Sequence, residues 1–241
     1  MATDTWQAWL FDLDGVVTDT AVLHARAWKA LFDAYLEERG DGQPPFALPD
    51  DYTGHVDGKP RYQGVDAFLR SRGIELPMGV PDDPPTAVTV CGLGNRKNAL
   101  FAKALEDGVP VFEGTVRLID RLLADGVKVA LVTSSRNATA VLERAELTDR
   151  FELVVDGNDV LERGLTGKPA PDAFLLAAQL AGVAPEQAVV VEDALSGVEA
   201  GRRGAFGLVV GVDRGLGHEP LLAAGADRVV DDLAEFLEGT D

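Results

Sequence analysis

Apolar positions along the chain follow two rhythms, separated by a long irregular stretch. Residues 6–11 (Trp-Gln-Ala-Trp-Leu-Phe) form a short apolar run closed by Asp12-Leu13-Asp14-Gly15, and they predict a buried strand. From Thr20 to about Arg39 the period changes. Leu23, Ala27, Leu31 and Tyr35 recur every four residues, which predicts a helix with Thr20 as its N-cap. The next stretch carries Pro44-Pro45, Pro49, Pro77, Pro81 and Pro84-Pro85, with helices predicted near 64–72 and 95–106. Beyond Pro110 a regular alternation sets in. Val127 to Val132 is an almost continuous apolar run, and residues 151–155, 188–191 and 206–210 repeat it more briefly. Helical patterns near 115–125, 137–145, 172–181 and 195–203 fall between or before these runs.

Strands apolar on both faces, alternating with helices, imply an α/β fold with a doubly wound parallel sheet. The first strand has the same character, yet about 90 residues part it from the rest. The economical division is a core of residues 1–16 and 110–241, with a mostly helical domain of residues 20–108 inserted after the first strand.

Composition narrows the possible partners. Hydrophobic residues make up 46 % and charged residues 26 %, the balance of a globular chain. With 22 Lys+Arg against 40 Asp+Glu the net charge is −18, which argues against nucleic acid and against an anionic membrane surface. No apolar run approaches the length of a membrane span, and no signal peptide is expected. The single cysteine, Cys91, suits a reducing compartment, so the cytoplasm is the expected location. A monomer is expected.

The chemistry lies where strands end. After the first comes Asp12-Leu13-Asp14-Gly15, in which a turn at glycine can aim both carboxylates at one point. After the second comes Thr133-Ser134-Ser135-Arg136-Asn137, hydroxyls and donors at a helix start. Gly167-Lys168-Pro169 holds one lysine among turn formers, and Glu192-Asp193 closes the fourth strand. Each cluster has a plainer explanation: an acidic loop, helix capping, a surface lysine, a charge-favoured helix N-terminus. Their repetition at successive strand ends favours a shared site. Asp12, Asp14, Glu192 and Asp193 around one crevice need a cation, and their hard oxygens point to Mg²⁺. With Lys168 and the Thr133 hydroxyl they make a phosphoryl-transfer site. An Asp of this set can then attack phosphorus and form an aspartyl-phosphate, Asp14 can serve as general acid and base, and Lys168 offsets the charge on the transferring group.

The set Asp12-Leu13-Asp14-Gly15, Thr133, Lys168-Pro169 and Glu192-Asp193, in that order, resembles the haloacid dehalogenase superfamily, in particular its β-phosphoglucomutase branch with a helical cap. The resemblance implies that Asp12 is the nucleophile and Asp14 the general acid and base, and that Thr133 and Lys168 are phosphate and charge-balancing contacts. It also implies that Mg²⁺ is bound by the Asp12 side chain, the Asp14 backbone carbonyl and Asp193, with Glu192 nearby. It extends into the insert. There it implies substrate contacts for His24 and Trp28, for Lys97 within Asn95-Arg96-Lys97-Asn98, and for Gly58 and Arg61 within Asp57-Gly58-Lys59-Pro60-Arg61. Arg61 matches the arginine that grips a non-reacting phosphate. Ser135-Arg136-Asn137 matches a sugar-contacting triplet, with Arg where the pattern has Lys. The proline-rich stretch around 74–87 and the loop at 52–61 depart from the pattern. The expected activity is interconversion of β-glucose 1-phosphate and glucose 6-phosphate through an aspartyl-phosphate and a bisphosphorylated sugar. The alternative is a sugar-phosphate phosphatase with the same core.

Three other readings fail on the residues. In Cys91-Gly92-Leu93-Gly94 the third glycine of a dinucleotide loop would fall at Lys97. Gly164 to Lys168 is too short for a P-loop, and Pro169 takes the Ser/Thr position. A receiver-type signalling domain would have no use for the long insert or for Asp14. Six of the 22 basic residues (Lys59, Arg61, Arg96, Lys97, Arg136 and Lys168) stand where phosphate is expected, which sets the acidic total in context.

Overall fold

The first apolar run forms β1 (Ala8–Phe11), and all of it is buried. A strand with neighbours on both sides needs that pattern. β1 pairs in parallel with β2 (Lys128–Val132) and with β4 (Ala188–Glu192). β3 (Leu153–Val155) lies beyond β2, while β5 (Leu208–Val212) and β6 (Arg228–Val230) lie beyond β4. The sheet order is β3-β2-β1-β4-β5-β6, all parallel: the doubly wound α/β class. The computed structural model describes residues 6–56, 59–106 and 108–237.

Strand bounds differ from the pattern-based expectation at several points: β1 and β3 each start two residues later, at Ala8 and Leu153. The fifth strand spans Leu208–Val212 rather than 206–210, and Phe206 ahead of it meets Phe174 edge-on at 6.0 Å. β6 has no counterpart in the expectation. It is three residues long, opens on Arg228 and is only half-buried, so it carries no apolar run.

Contacts divide the chain into two units, one reaching from the N-terminal side to Thr20 and resuming at Val109, the other spanning Ala21–Gly108. Residues 17–20 stay with the sheet for a visible reason. Asp19 N donates to Pro110 O at 2.9 Å, and Phe112 N donates to Val17 O at 3.0 Å. The Thr115 hydroxyl adds a bond to Val16 O at 2.7 Å.

The inserted unit contains α1 (Ala21–Arg39), a π-helical turn at Tyr52–Val56, α2 (Arg61–Ser71) and α3 (Val90–Leu105). The four-residue stripe of α1 is buried as expected, and Trp28, Phe32 and Leu36 form a second stripe beside it. Phe32 is the centre of an aromatic cluster, 4.0 Å from Phe68 and 5.3 Å from Phe46. α3 begins five residues earlier than its periodicity suggests. Thr89 caps it, its hydroxyl oxygen accepting from Gly92 N at 2.9 Å. α2 likewise starts at Arg61, so this arginine sits on a helix and not in the preceding loop.

The sheet is covered by α4 (Glu113–Ala124), α5 (Ala138–Arg144), α6 (Gly157–Glu162), α7 (Asp172–Ala181), α8 (Leu195–Arg203) and α9 (His218–Ala224). Alternate strand residues Ala8, Leu10, Ala130, Val132, Ala188 and Val190 share one core with Phe174 and the small residues Ala177, Ala178 and Ala181 of α7. On β1, Trp9 meets Phe236 edge-on at 5.2 Å. Among the described residues no helix is long and apolar enough to cross a membrane.

Candidate active site

Register brings the site together. Phe11 is level with Leu131 on β2 and Val191 on β4, so the residues that follow each strand emerge at one edge of the sheet. Asp12 continues the ladder, its N–H donating to Val191 O at 2.9 Å, and Thr133 N donates to Val155 O at 3.0 Å. Lys168 reaches in from the loop ahead of α7. Its ammonium donates to Asp12 Oδ1 at 2.5 Å, to Glu192 Oε1, and to Val132 O at 3.1 Å. The lysine side chain is only 8 % exposed and passes 4.8 Å above the Phe174 ring.

Charge dominates this edge. Burial works against the Lys168 ammonium, but Asp12 and Glu192 raise its pKa above the usual lysine value and keep it charged. Asp12 is raised well above the ordinary carboxylate range, by burial first and then by Glu192, Asp14 and Asp193, with Lys168 opposing. Asp193 is pushed up to about 8, again by burial and then by Glu192 and Asp14. Asp12, Glu192 and Asp193 offer oxygens within 4.8 Å of one another. Three hard oxygen donors this close, with Asp12 and Asp193 held back from ionising by burial first and then by their acidic neighbours, fit a divalent cation such as Mg²⁺. Glu192 is the most committed of them elsewhere, because Oε1 accepts from Lys168 and Oε2 accepts from Ala194 N at 3.1 Å.

Asp14 and Gly15 form the turn beyond β1. The Thr20 hydroxyl donates to Asp14 Oδ1, so the expected N-cap residue also orients the expected acid and base. Gly15 N donates to Thr18 O at 2.8 Å, and Gly15 adopts φ +83°. A Cβ at Gly15 would stand 2.0 Å from Asp193 Oδ2, so glycine is what lets this carboxylate lie against the turn. Arg214 closes the other side. Its Nε donates to Gly15 O at 2.6 Å, its Nη1 donates to Asp231 O at 3.1 Å, and its guanidinium stacks on Phe112 at 3.5 Å. Arg214 escaped the sequence reading. Its signal was available, since Asp213-Arg214 follows β5 as the other clusters follow their strands, but placing that strand's end at 210 hid it.

After β2 the hydroxyls serve the turn. Thr133 Oγ1 accepts from Ser135 N at 3.0 Å and Ser135 Oγ accepts from Asn137 N at 3.2 Å, which leaves both hydroxyl protons to donate. Arg136 is exposed and donates to Asn158 Oδ1 at 2.8 Å. Asn137 directly precedes α5.

Within the inserted unit the structure gathers His24, Trp28 and Lys97. Lys97 is buried; its Nζ donates to His24 Nδ1 at 2.5 Å and lies 5.1 Å from the Trp28 ring and 4.8 Å from the Phe101 ring. Burial, and then Lys97, lowers the His24 pKa to about 3, so the imidazole is neutral and accepts. The Arg61 guanidinium lies beside the Tyr62 ring, and its buried Nε has no hydrogen-bond partner. Gly58 lies outside the described residues.

Comparison with known proteins shows the family. The family model of haloacid dehalogenase-like hydrolases matches residues 6–204. The chain belongs to that family, in its β-phosphoglucomutase-like branch. A β-phosphoglucomutase of Mycobacterium bovis is 53 % identical over 240 residues, covering 96 % of this chain and 91 % of the relative. One from Bacillus subtilis is 32 % identical over 226 residues, covering 93 % and 88 %. The crystal structure of CbbY from Rhodobacter sphaeroides in complex with phosphate superposes with a TM-score of 0.72 at 25 % identity, covering 95 % of this chain and 96 % of that one.

Proposed function

We propose that the protein is a Mg²⁺-dependent mutase that interconverts β-glucose 1-phosphate and glucose 6-phosphate. The observation that carries this reading is the buried Lys168 ammonium, bonded to both Asp12 and Glu192 at the edge where Asp193 and Thr133 also emerge. The 53 % identity to a β-phosphoglucomutase supports the mutase outcome.

Asp12 is the nucleophile. Its carboxylate oxygen forms a bond to phosphorus as the bond from phosphorus to the sugar oxygen breaks, which leaves an aspartyl-phosphate. Asp14 gives its proton to the departing sugar oxygen. Thr20, bonded to the Asp14 carboxyl, fixes the direction of that transfer. In the second half, the free hydroxyl of a sugar monophosphate gives its proton to Asp14 and attacks phosphorus, which forms the bisphosphorylated sugar as the bond to Asp12 breaks and its carboxylate departs unchanged. Lys168 stays protonated throughout and offsets the charge on the transferring group, with Thr133 donating its hydroxyl to the same phosphate. Asp12, Asp193 and the Asp14 carbonyl would hold Mg²⁺, with Glu192 beside them. Once bound, the ion supplies charge neutralisation for the phosphoryl oxygens.

In the inserted unit, Arg61 holds the phosphate that is not reacting. Its buried, unpartnered Nε supports this role, because a buried donor without an acceptor is costly and a phosphate oxygen would satisfy it. His24, Trp28, Lys97 and Gly58, with Ser135, Arg136 and Asn137 of the core, complete the sugar contacts.

The test is a product assay. The protein is incubated with Mg²⁺, β-glucose 1-phosphate and a trace of glucose 1,6-bisphosphate. Glucose 6-phosphate without equivalent inorganic phosphate is the expected result. Inorganic phosphate as the main product would replace the mutase by a sugar-phosphate phosphatase.

A further inference from the structure

Segment 77–89 of the inserted unit has no regular structure, yet it is anchored along its length. At the start of α3, Val90 N and Cys91 N donate back to Pro77 O and Met78 O at 2.9 and 3.0 Å. Asp83 Oδ2 accepts from the Thr89 hydroxyl at 2.6 Å and from Val80 N at 3.1 Å. Asn95, on the second turn of α3, uses both amide protons on the segment, donating to Pro81 O and to Asp83 O at 2.8 Å each. Its remaining Oδ1 accepts from the Tyr62 hydroxyl at 3.0 Å.

A side chain with every polar atom engaged has one orientation, and Asn95 passes that constraint to Tyr62. Packing adds to it, since a Cβ at Gly94 would stand only 2.6 Å from the Tyr62 ring. Arg61 rests on the result. Its guanidinium lies 5.0 Å from the Tyr62 ring centre and Nη2 donates to Tyr62 Oη at 3.4 Å. Arginine loses much rotamer freedom when it grips an anion, so a guanidinium already oriented binds better than a loose one.

We propose that Tyr62 and Asn95 are positioning residues for Arg61, and that the proline-rich segment 77–89 is the buttress that fixes them. The proposal rests on reading Arg61 as the holder of the non-reacting phosphate, and it names what sets the orientation of that group. A proline-rich stretch that departs from the family pattern thereby acquires a specificity role.

Steady-state kinetics of Tyr62→Phe, Asn95→Ala and Arg61→Ala test it, with glucose 1,6-bisphosphate as the two-phosphate substrate and p-nitrophenyl phosphate as a substrate with nothing for Arg61 to hold. Tyr62→Phe removes one hydroxyl and keeps the packed ring. It is expected to raise KM for the bisphosphate about fivefold, the scale of one lost hydrogen bond, with kcat preserved. Turnover of p-nitrophenyl phosphate stays unchanged. Asn95→Ala shifts KM in the same direction, and Arg61→Ala shifts it further. A raised KM in Arg61→Ala with wild-type values in Tyr62→Phe would overturn the positioning role and leave the Arg61 assignment standing. Wild-type KM in all three would remove both. Equal losses on both substrates in Tyr62→Phe would also overturn the proposal, since they would mark general damage to the fold.

Discussion

Gly15 shows how much of the site depends on single atoms. A methyl group there would enter the space of the Asp193 carboxylate, and φ +83° is costly for any side chain. Gly15→Ala is therefore expected to weaken Mg²⁺ binding, followed by calorimetry, by about 10- to 100-fold, as losses beside metal ligands do. Its thermal midpoint should fall by only a few degrees, the effect of about 1–2 kcal/mol of backbone strain. Wild-type Mg²⁺ affinity would show that the turn tolerates the methyl. At this scale the core of the site was largely legible: Asp12, Asp14, Thr133, Glu192 and Asp193 stood beside strand ends in the sequence, and Lys168 stood among turn formers. The contacts between them were not. That Thr20 bonds Asp14, or that Lys168 divides itself between Asp12 and Glu192, depends on side-chain directions that spacing does not encode.

Among the elements, α7 connects packing with chemistry. Phe174 is fully buried in the sheet core, and the Lys168 ammonium sits 4.8 Å above its ring. Phe174→Ala is expected to lower the unfolding free energy by about 3–5 kcal/mol in denaturant titration. A loss below about 1 kcal/mol would mean that the alanines of α7 close over the gap. α1 and α3 give a pH-dependent case. His24 stacks on Phe101 at 4.1 Å and stays neutral, with its pKa lowered from 6.5 to about 3. Below pH 6.5 the unfolded chain takes up a proton that the folded chain refuses, so stability falls with pH across the window from about 6.5 to 3. The slope is at most about 1.4 kcal/mol per pH unit. His24→Gln should flatten that part of the urea-midpoint profile, and an unchanged slope would refute the assignment. Long, strongly periodic elements were legible at this scale, whereas β6 and α9, short and bordered by Gly225, Asp227 and Arg228, gave too little pattern to register.

For the molecule as a whole, the net charge of −18 opposes the approach of a phosphorylated sugar, even though the basic residues of the site attract it at short range. The opposing field is the longer-ranged one, reaching about 30 Å at 0.01 M salt and about 10 Å at 0.1 M. Raising KCl through that range at fixed free Mg²⁺ is expected to increase kcat/KM for β-glucose 1-phosphate. A steady decrease would show that the local cations govern the whole approach.

The place of β1 in the sheet also fixes an order of events during synthesis. Phe11 pairs with Leu131 on one flank and Val191 on the other. These partners leave the ribosome roughly 120 and 180 residues after it, a delay on the order of ten seconds or more at ordinary elongation rates. Until β2 emerges, β1, which leads into Asp12, has no sheet to join, and the whole inserted unit is translated in that time. A strand whose four residues are all buried in the finished fold is thus enclosed late, and the edge that presents Asp12 is completed only when β4 arrives.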